Sequence, residues 1–376
     1  MKIAVITMHA VKNYGSVLQT YATQRVLEDK DIEVEIINYI RKKNLDSNLS
    51  STWTRSDNGP RKIIKRILLQ PTIKRWKQVF NGYLEQNIKT SSSVYTCEED
   101  FKLAPIQADV FCTGSDQVWN SGWNDGVETP FYLTFVPDNV PKIALAASIG
   151  KSELDQAECR RVFPLLRRYD YISMRETSSV SFLKESGFNN VEFCLDPTQL
   201  LSREQWLEHA VEYRGMPEKY VLIYQLNHDK QFDHYAVEFA RKKGLPLYRI
   251  CTRYDQVRLS GKPLIIPQVQ QWLSLVANAE YVLTNSFHAT AFCINLNTQF
   301  VSIFPNEYSC RIEDVLRLYG LEDRRLKSYD QLDIADKQID FNRTNLILNE
   351  NRERCLKLIK KMIHDAMKAH KGTEGV

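Results

Sequence analysis

The sequence predicts an α/β protein of two Rossmann-like domains facing a cleft. Three observations predict it. A strand–loop–helix–strand unit occupies roughly the first forty residues, and such a unit implies parallel strands joined by a right-handed crossover. Short β-rich apolar runs then keep alternating with stretches of helical periodicity. The alternation breaks around Asp196-Pro197 and begins again near Tyr220. The chain is thereby divided into domains at 1–208 and 216–335, with a helical remainder at 336–376 that could pack back on the first domain.

Residues 3–8 form an apolar first strand, and the polar segment Lys12-Asn13-Tyr14-Gly15 follows it. That run is too short, and its flank too polar, for a secretion signal. From 16 to about 30, Val17, Leu18, Tyr21, Ala22, Val26 and Leu27 recur at helical spacing, and 33–39 is the second strand. Between 41 and 93 the rhythm stops. Arg61, Lys62, Lys65, Arg66, Lys74, Arg75 and Lys77 lie in a stretch without an acidic residue from Asp57 to Glu85, and Ile63, Ile64, Ile67 and Leu68 are interleaved at helical spacing. This basic amphipathic insertion, counted with the first domain, has two readings. It lies on an anionic membrane surface or holds an anionic lipid-linked substrate, or it is a solvated helix packed on the sheet edge.

The rhythm resumes with strands at 108–112, 143–149, 171–174 and 191–195, with a helix at 153–168 and another after Arg175-Glu176 to about 186. In the second domain strands fall at 220–226, 247–251, 281–283 and 300–304, with helices at 231–243, 268–278 and 289–296. A long helix over 349–371 sets Leu356, Ile359, Met362, Ile363 and Ala366 on one face.

Composition excludes several classes. Of 376 residues, 43% are hydrophobic and 26% charged, which suits a folded globular chain. The net charge of +4 is too small for a protein that lives on nucleic acid. No apolar stretch reaches the roughly 18 residues of a spanning helix. The eight cysteines are scattered without Cys-x-x-Cys spacing, so neither a zinc knuckle nor a redox dithiol is supported. Dispersed free thiols point to a reducing, cytoplasmic setting.

Ligands of such sheets bind beyond the carboxyl ends of the strands. The loop Asn13-Tyr14-Gly15-Ser16 opens a helix whose first N–H groups can receive an anion or a sugar hydroxyl. It lacks the G-x-G-x-x-G of dinucleotide binders. Asp116 and Gln117 follow Gly114-Ser115 and precede Trp119 and Trp123, a combination that can hold a sugar ring or simply join the core. Thr284-Asn285-Ser286-Phe287-His288 runs from a buried strand into helix-cap residues and sets His288 on the first helical turn. An imidazole can exchange a proton near neutrality, its unperturbed pKa being about 6.5; it can also be an ordinary core histidine. Arg175, at the end of a short strand, suits a carboxylate or phosphate, or else a salt bridge with Glu176 or a neighbouring acid. The same two readings apply to Arg311.

Taken together, several segments resemble the polysaccharide pyruvyl transferase family. They are the run from Asn13-Tyr14-Gly15 to Ala22, Gly114-Ser115-Asp116-Gln117-Val118-Trp119-Asn120, Ala146 to Gly150, Ile172 to Glu176, Asp196-Pro197-Thr198, Thr284 to Phe292, and Arg311. They occur in order across most of the chain.

The resemblance implies a GT-B-like fold and the transfer of pyruvate from phosphoenolpyruvate to a sugar as a ketal. It identifies His288 as the essential histidine and Arg175 as the phosphoenolpyruvate-binding arginine. The phosphoenolpyruvate site then comprises Arg175, Asn285, Ser286, His288 and Arg311. The acceptor, a surface polysaccharide unit or its lipid-linked precursor, would meet Asn13, Tyr14, Gly15, Asp116 and Gln117. No metal or other cofactor is called for, since cationic groups can carry the phosphate charge. The chain departs from the family pattern at Ala289, where glycine is usual. Two other readings stay open: a nucleotide-sugar glycosyltransferase of the same shape, and a silent sugar- or phosphate-binding protein.

Overall fold

A computed structural model describes residues 1–304 and 309–371. By its internal contacts the chain divides into two units. The first gathers Met1–Leu45, Leu84–Leu200 and the chain from Glu350 onward; the second gathers Asp46–Tyr83 and Leu201–Asn349.

In the first unit the strands are β1 (Lys2–Ile6), β2 (Glu33–Ile36), β3 (Val110–Thr113), β4 (Lys142–Ala147), β5 (Tyr171–Met174) and β6 (Val191–Phe193). They form one parallel sheet in the order β2-β1-β3-β4-β5-β6. The central strands β3 and β4 are buried along their whole length, because helices cover both faces of a parallel sheet. The chain leaves β1 toward β2 on one side, and its later strands are added on the other. The order therefore reverses between β1 and β3, where the facing crossovers open a crevice.

The second unit holds β7 (Val221–Tyr224), β8 (Leu247–Cys251), β9 (Lys262–Ile265), β10 (Tyr281–Thr284) and β11 (Phe300–Ser302). This sheet is also parallel, in the order β11-β10-β7-β8-β9. Its reversal lies between β7 and β10. The helix Phe287–Leu296 after β10 is buried on every side, with Phe292 edge-on to Trp206 and Trp272 at ring distances of 5.0 and 5.3 Å.

Three sequence expectations change. The strand Lys262–Ile265 is not foreseen by the periodicity, because it is an edge strand with exposed Lys262 and Pro263. The expected strand over 33–39 ends at Ile36. The basic insertion does not belong to the first domain: residues 46–83 group with the second unit. The physical reason is specific. Trp76 donates its indole N–H to the Thr252 carbonyl at 2.7 Å, Arg75 reaches the Ile266 carbonyl at 3.1 Å, and Thr72 accepts from the Tyr254 amide at 3.1 Å. At the other terminus the Phe341–Lys371 helix ends in the first unit, where Asp365 accepts from the Tyr171 hydroxyl at 3.0 Å and His370 meets Asp170 at 3.0 Å.

Gly150, after β4, takes φ of +70°, and a Cβ there would fall 2.1 Å from Asn120 Nδ2 and 2.6 Å from Gln117 Oε1. Gly150→Ala is expected to lower stability by about 2 to 4 kcal/mol, from left-handed strain plus displacement of that amide pair. Urea unfolding of the variant against wild type measures it.

Candidate functional site

Each sheet's reversal point carries a cluster of the residues singled out from sequence, built in a different way in each unit. In the first, Arg175 leaves the end of β5 with a side chain that has no solvent exposure. It meets three carboxylates: Asp116 at 2.6 Å, Asp196 at 2.8 Å and Glu176 at 3.1 Å. It also donates to Ser115 Oγ at 3.2 Å. Burial alone would depress its pKa, but Asp116, Glu176 and Asp196 together raise it, so the guanidinium stays charged. The carboxylates are held in turn. Ser148 donates to Glu176 at 2.7 Å, Thr198 to Asp196 at 2.7 Å, and Ser16, on the first helix, to Asp116 at 3.3 Å. Gln19 donates to the Thr7 hydroxyl at 2.9 Å, and Thr7 donates to the Ser115 carbonyl.

Of the two readings open for Arg175, the structure displays the salt-bridged one. Its N–H groups are aimed at protein oxygens, so gripping a donor anion would require a carboxylate to be displaced. Asp116 keeps about a tenth of its side chain exposed, more than its two partners. Asn13 caps the Tyr14–Leu27 helix by accepting from the Gly15 amide at 2.8 Å, and Tyr14 is fully buried. Gln117 accepts from Asn120 at 2.7 Å. Trp119 belongs to the core, its indole bonded to the Phe131 carbonyl at 3.0 Å, whereas Trp123 is exposed.

A polar hollow of about 450 Å³ also opens in the first unit, lined by Tyr39, Arg41, Asn124 and Glu128 among others. Burial lowers the Arg41 pKa, against the pull of Glu128 and Asp116. Arg41 donates to Asn124, and Tyr39 to Glu128. His9, beyond β1, is held by Asn38 at 3.1 Å, and its burial pushes its pKa down.

In the second unit the tie between loops is a neutral amide. Asn285 accepts from the Leu226 amide at 2.8 Å and donates to the Asn227 carbonyl at 3.0 Å, which locks the loop after β10 to the loop after β7. Thr284 donates to the Tyr224 carbonyl at 2.7 Å and accepts from the Ser286 amide at 3.0 Å. Ser286 caps the following helix, accepting from the Ala289 amide at 3.3 Å. Asn285 and Ser286, expected as donor ligands, thus shape the loop with their side chains.

His288 sits one residue into that helix and is 6% exposed. Its ring is edge-on to Phe287 at 5.2 Å, and the Arg311 guanidinium lies over the other ring at 5.6 Å. Phe287 therefore brings His288 and Arg311 into one neighbourhood beside a helix N-terminus, where anions are favoured. Ala289 is fully buried, so its methyl is part of the core.

The sequence reading missed Ser16 and Asp196 as members of the Arg175 cluster, and Phe287 as the link between His288 and Arg311. Asp196 had a usable signal: it lies just beyond the last strand of the first sheet, which ends at Phe193. Its adjacent proline made it read as a passage between domains.

The sequence matches the polysaccharide pyruvyl transferase family over residues 13–307. No curated protein matches it. Among solved structures it is similar to UDP-N-acetylglucosamine 2-epimerase from Rickettsia bellii, at 9% identity and a TM-score of 0.58, covering 98% of this chain and 97% of that one. It is also similar to UDP-GlcNAc 2-epimerase from Neisseria meningitidis bound to UDP-GlcNAc, at 13% identity and a TM-score of 0.50, covering 97% and 100%. The glycotransferase of kitacinnamycin aligns at 12% identity and a TM-score of 0.51, covering 96% and 98%. Identities this low show the fold alone, two parallel-sheet α/β domains of the GT-B type.

Arg175→Gln leaves three carboxylates without their cation and is expected to cost about 3 to 5 kcal/mol at pH 7.5. Buried, unpaired carboxylates bind protons more tightly folded than unfolded, so the deficit should shrink as pH falls toward 5.5. Urea unfolding at both pH values checks the sign. A deficit that grows on acidification would contradict the arrangement.

Proposed function

Because the chain belongs to the polysaccharide pyruvyl transferase family, we propose that it transfers pyruvate from phosphoenolpyruvate to a pair of sugar hydroxyls as a ketal and releases phosphate. The acceptor in this reading is a sugar of a surface polysaccharide or of its lipid-linked precursor, reached in the cytoplasm. The observation that carries the proposal is the grouping of His288 and Arg311 around Phe287 beyond β10. It joins a proton donor to a fixed positive charge at a helix N-terminus.

The chemistry needs both. Protonation of the methylene carbon of phosphoenolpyruvate by the His288 imidazolium makes a methyl group and leaves the adjacent carbon cationic, stabilised by its ester oxygen. One sugar hydroxyl adds there and gives up its proton to the imidazole that the first step left neutral. The second hydroxyl then displaces phosphate, which departs carrying the other proton, and the ring closes. Arg311 supports the donor's phosphate and carboxylate, with the Ser286-capped helix start beside it.

Asp116 is the acceptor-binding carboxylate in this reading, with Ser16 beside it. Arg175 works through Asp116, as a positioning residue that holds the carboxylate in place. The Ala289 departure weighs little against the reading, because that residue is in the core and not at an open turn.

The test is a thermal-shift series with phosphoenolpyruvate and with nucleotide sugars, followed by phosphate-release assays on acceptor sugars. A ligand at 100 times its dissociation constant stabilises by about 2.7 kcal/mol, a rise of a few degrees for a chain of this size. Phosphoenolpyruvate should produce that rise, and Arg311→Ala should remove most of it. His288→Ala should still bind, yet release phosphate about 10²- to 10⁴-fold more slowly. Full turnover by His288→Ala would remove the acid assignment. Stabilisation by a nucleotide sugar and none by phosphoenolpyruvate would replace the donor.

A further inference from the structure

The helix Gly59–Trp76 carries its apolar stripe on the outside. Its C-terminal end is anchored in the second unit by buried Thr72, Ile73 and Trp76. Earlier along it, Ile63, Ile64, Ile67 and Leu68 are 63%, 56%, 65% and 68% exposed. Counted from Pro60, the positions 60, 63, 64, 67, 68 and 71 follow the helical repeat and form one stripe, apolar throughout and exposed at every position. A surface helix ordinarily turns such a stripe to the core and its charges to water. Here the polar side is the one partly covered: Lys62 and Arg66 are half-buried, and Arg66 donates to Thr54 at 3.3 Å. Four neighbouring exposed aliphatics on one helix are an interaction surface.

Charge decides the occupant. Seven cations accompany the stripe and no acidic residue lies between Asp57 and Glu85. Arg61, Lys65, Lys74 and Lys77 are exposed and Lys62, Arg66 and Arg75 half-buried; of the exposed four, Lys65 pairs with Asp57 at 2.5 Å and Lys77 with Asp46 at 3.8 Å. A second copy seated on this stripe would bring like charge against like charge about its two-fold axis. An anionic lipid surface accepts both features, the aliphatics at the acyl boundary and the ammonium and guanidinium groups at phosphates.

We propose that this helix docks the protein on the surface of an anionic phospholipid bilayer, lying in the interface plane. Among the described residues no helix is long and apolar enough to cross a membrane, so the contact is peripheral. Ile63, Ile64, Ile67 and Leu68 insert, and Arg61, Lys65 and Lys74 meet the headgroups. The inference stands on its own, whatever reaction the protein catalyses.

Sedimentation of the full chain with sucrose-loaded vesicles tests it, comparing phosphatidylcholine alone with phosphatidylcholine containing phosphatidylglycerol. Two double variants accompany wild type, Ile63→Ser with Ile67→Ser, and Arg61→Glu with Lys65→Glu. Far-UV circular dichroism verifies that these exposed substitutions leave the fold intact. Wild type should sediment with the anionic vesicles and lose that binding at high salt. Each variant should bind about tenfold more weakly or less still. Equal sedimentation with neutral vesicles, or variants that bind as wild type does, overturns the proposal. So does a wild type that ignores vesicles but forms a dimer by light scattering that the serine variant dissolves, which would assign the stripe to a second copy.

Discussion

The guanidinium of Arg175 organises the first unit's strand ends. One side chain reaches Asp116 beyond β3, Glu176 beyond its own strand and Asp196 beyond β6. Through Asp116 it is connected to Ser16 on the first helix. Four separate segments are thus tied to a single charge that has no solvent exposure of its own. A buried cation is tolerated there only because its hydrogen-bonding directions are filled. The same condition makes the cluster rigid, since no member can move without exposing another's charge. The Asp116 carboxylate is thereby held in one orientation, between Arg175 and Ser16.

The second unit solves the same problem of joining its crossovers at the sheet reversal without any charge. Asn285 does it with one amide, using both its oxygen and its nitrogen on backbone groups of residues 226 and 227. The choice has an electrostatic consequence. Three carboxylates around one guanidinium leave the first cluster negative, which repels an anion. A neutral tie adds no negative charge at the start of the Phe287–Leu296 helix, so it does not offset the positive end of that helix.

Much of the fold was legible because parallel sheets announce themselves. Strands such as 110–113 and 281–284 are buried throughout and read as unbroken apolar runs, and the rule that ligands sit beyond their carboxyl ends led to both clusters. The edge strand Lys262–Ile265 was not legible, since half-exposed positions tolerate lysine and proline. Side-chain roles were less legible than positions. Sequence places Arg175 and Asn285 at strand ends, but only three dimensions show that their donors and acceptors are taken up by neighbouring loops. Asp196 is distant in sequence from Ser115, and nothing local reveals that they share a hydrogen bond at 3.3 Å.

The basic insertion shows why periodicity alone cannot orient a helix. The spacing of Pro60, Ile63, Ile64, Ile67 and Leu68 specifies a stripe, and the natural inference is that a stripe is buried. What decides otherwise lies at the helix end. Thr72, Ile73 and Trp76 must face the second unit to satisfy the Thr252 and Tyr254 backbone groups, and a rigid helix then carries its earlier residues around with them. At 100° per residue, the turns that bury Ile73 and Trp76 also bring positions 62, 66 and 69 inward. The aliphatics at 63, 64, 67 and 68 are left on the far side, where their exposure is observed. The anchor is therefore what turns an ordinary amphipathic sequence outward, and a surface that costs solubility is kept on a helix whose charges all have one sign.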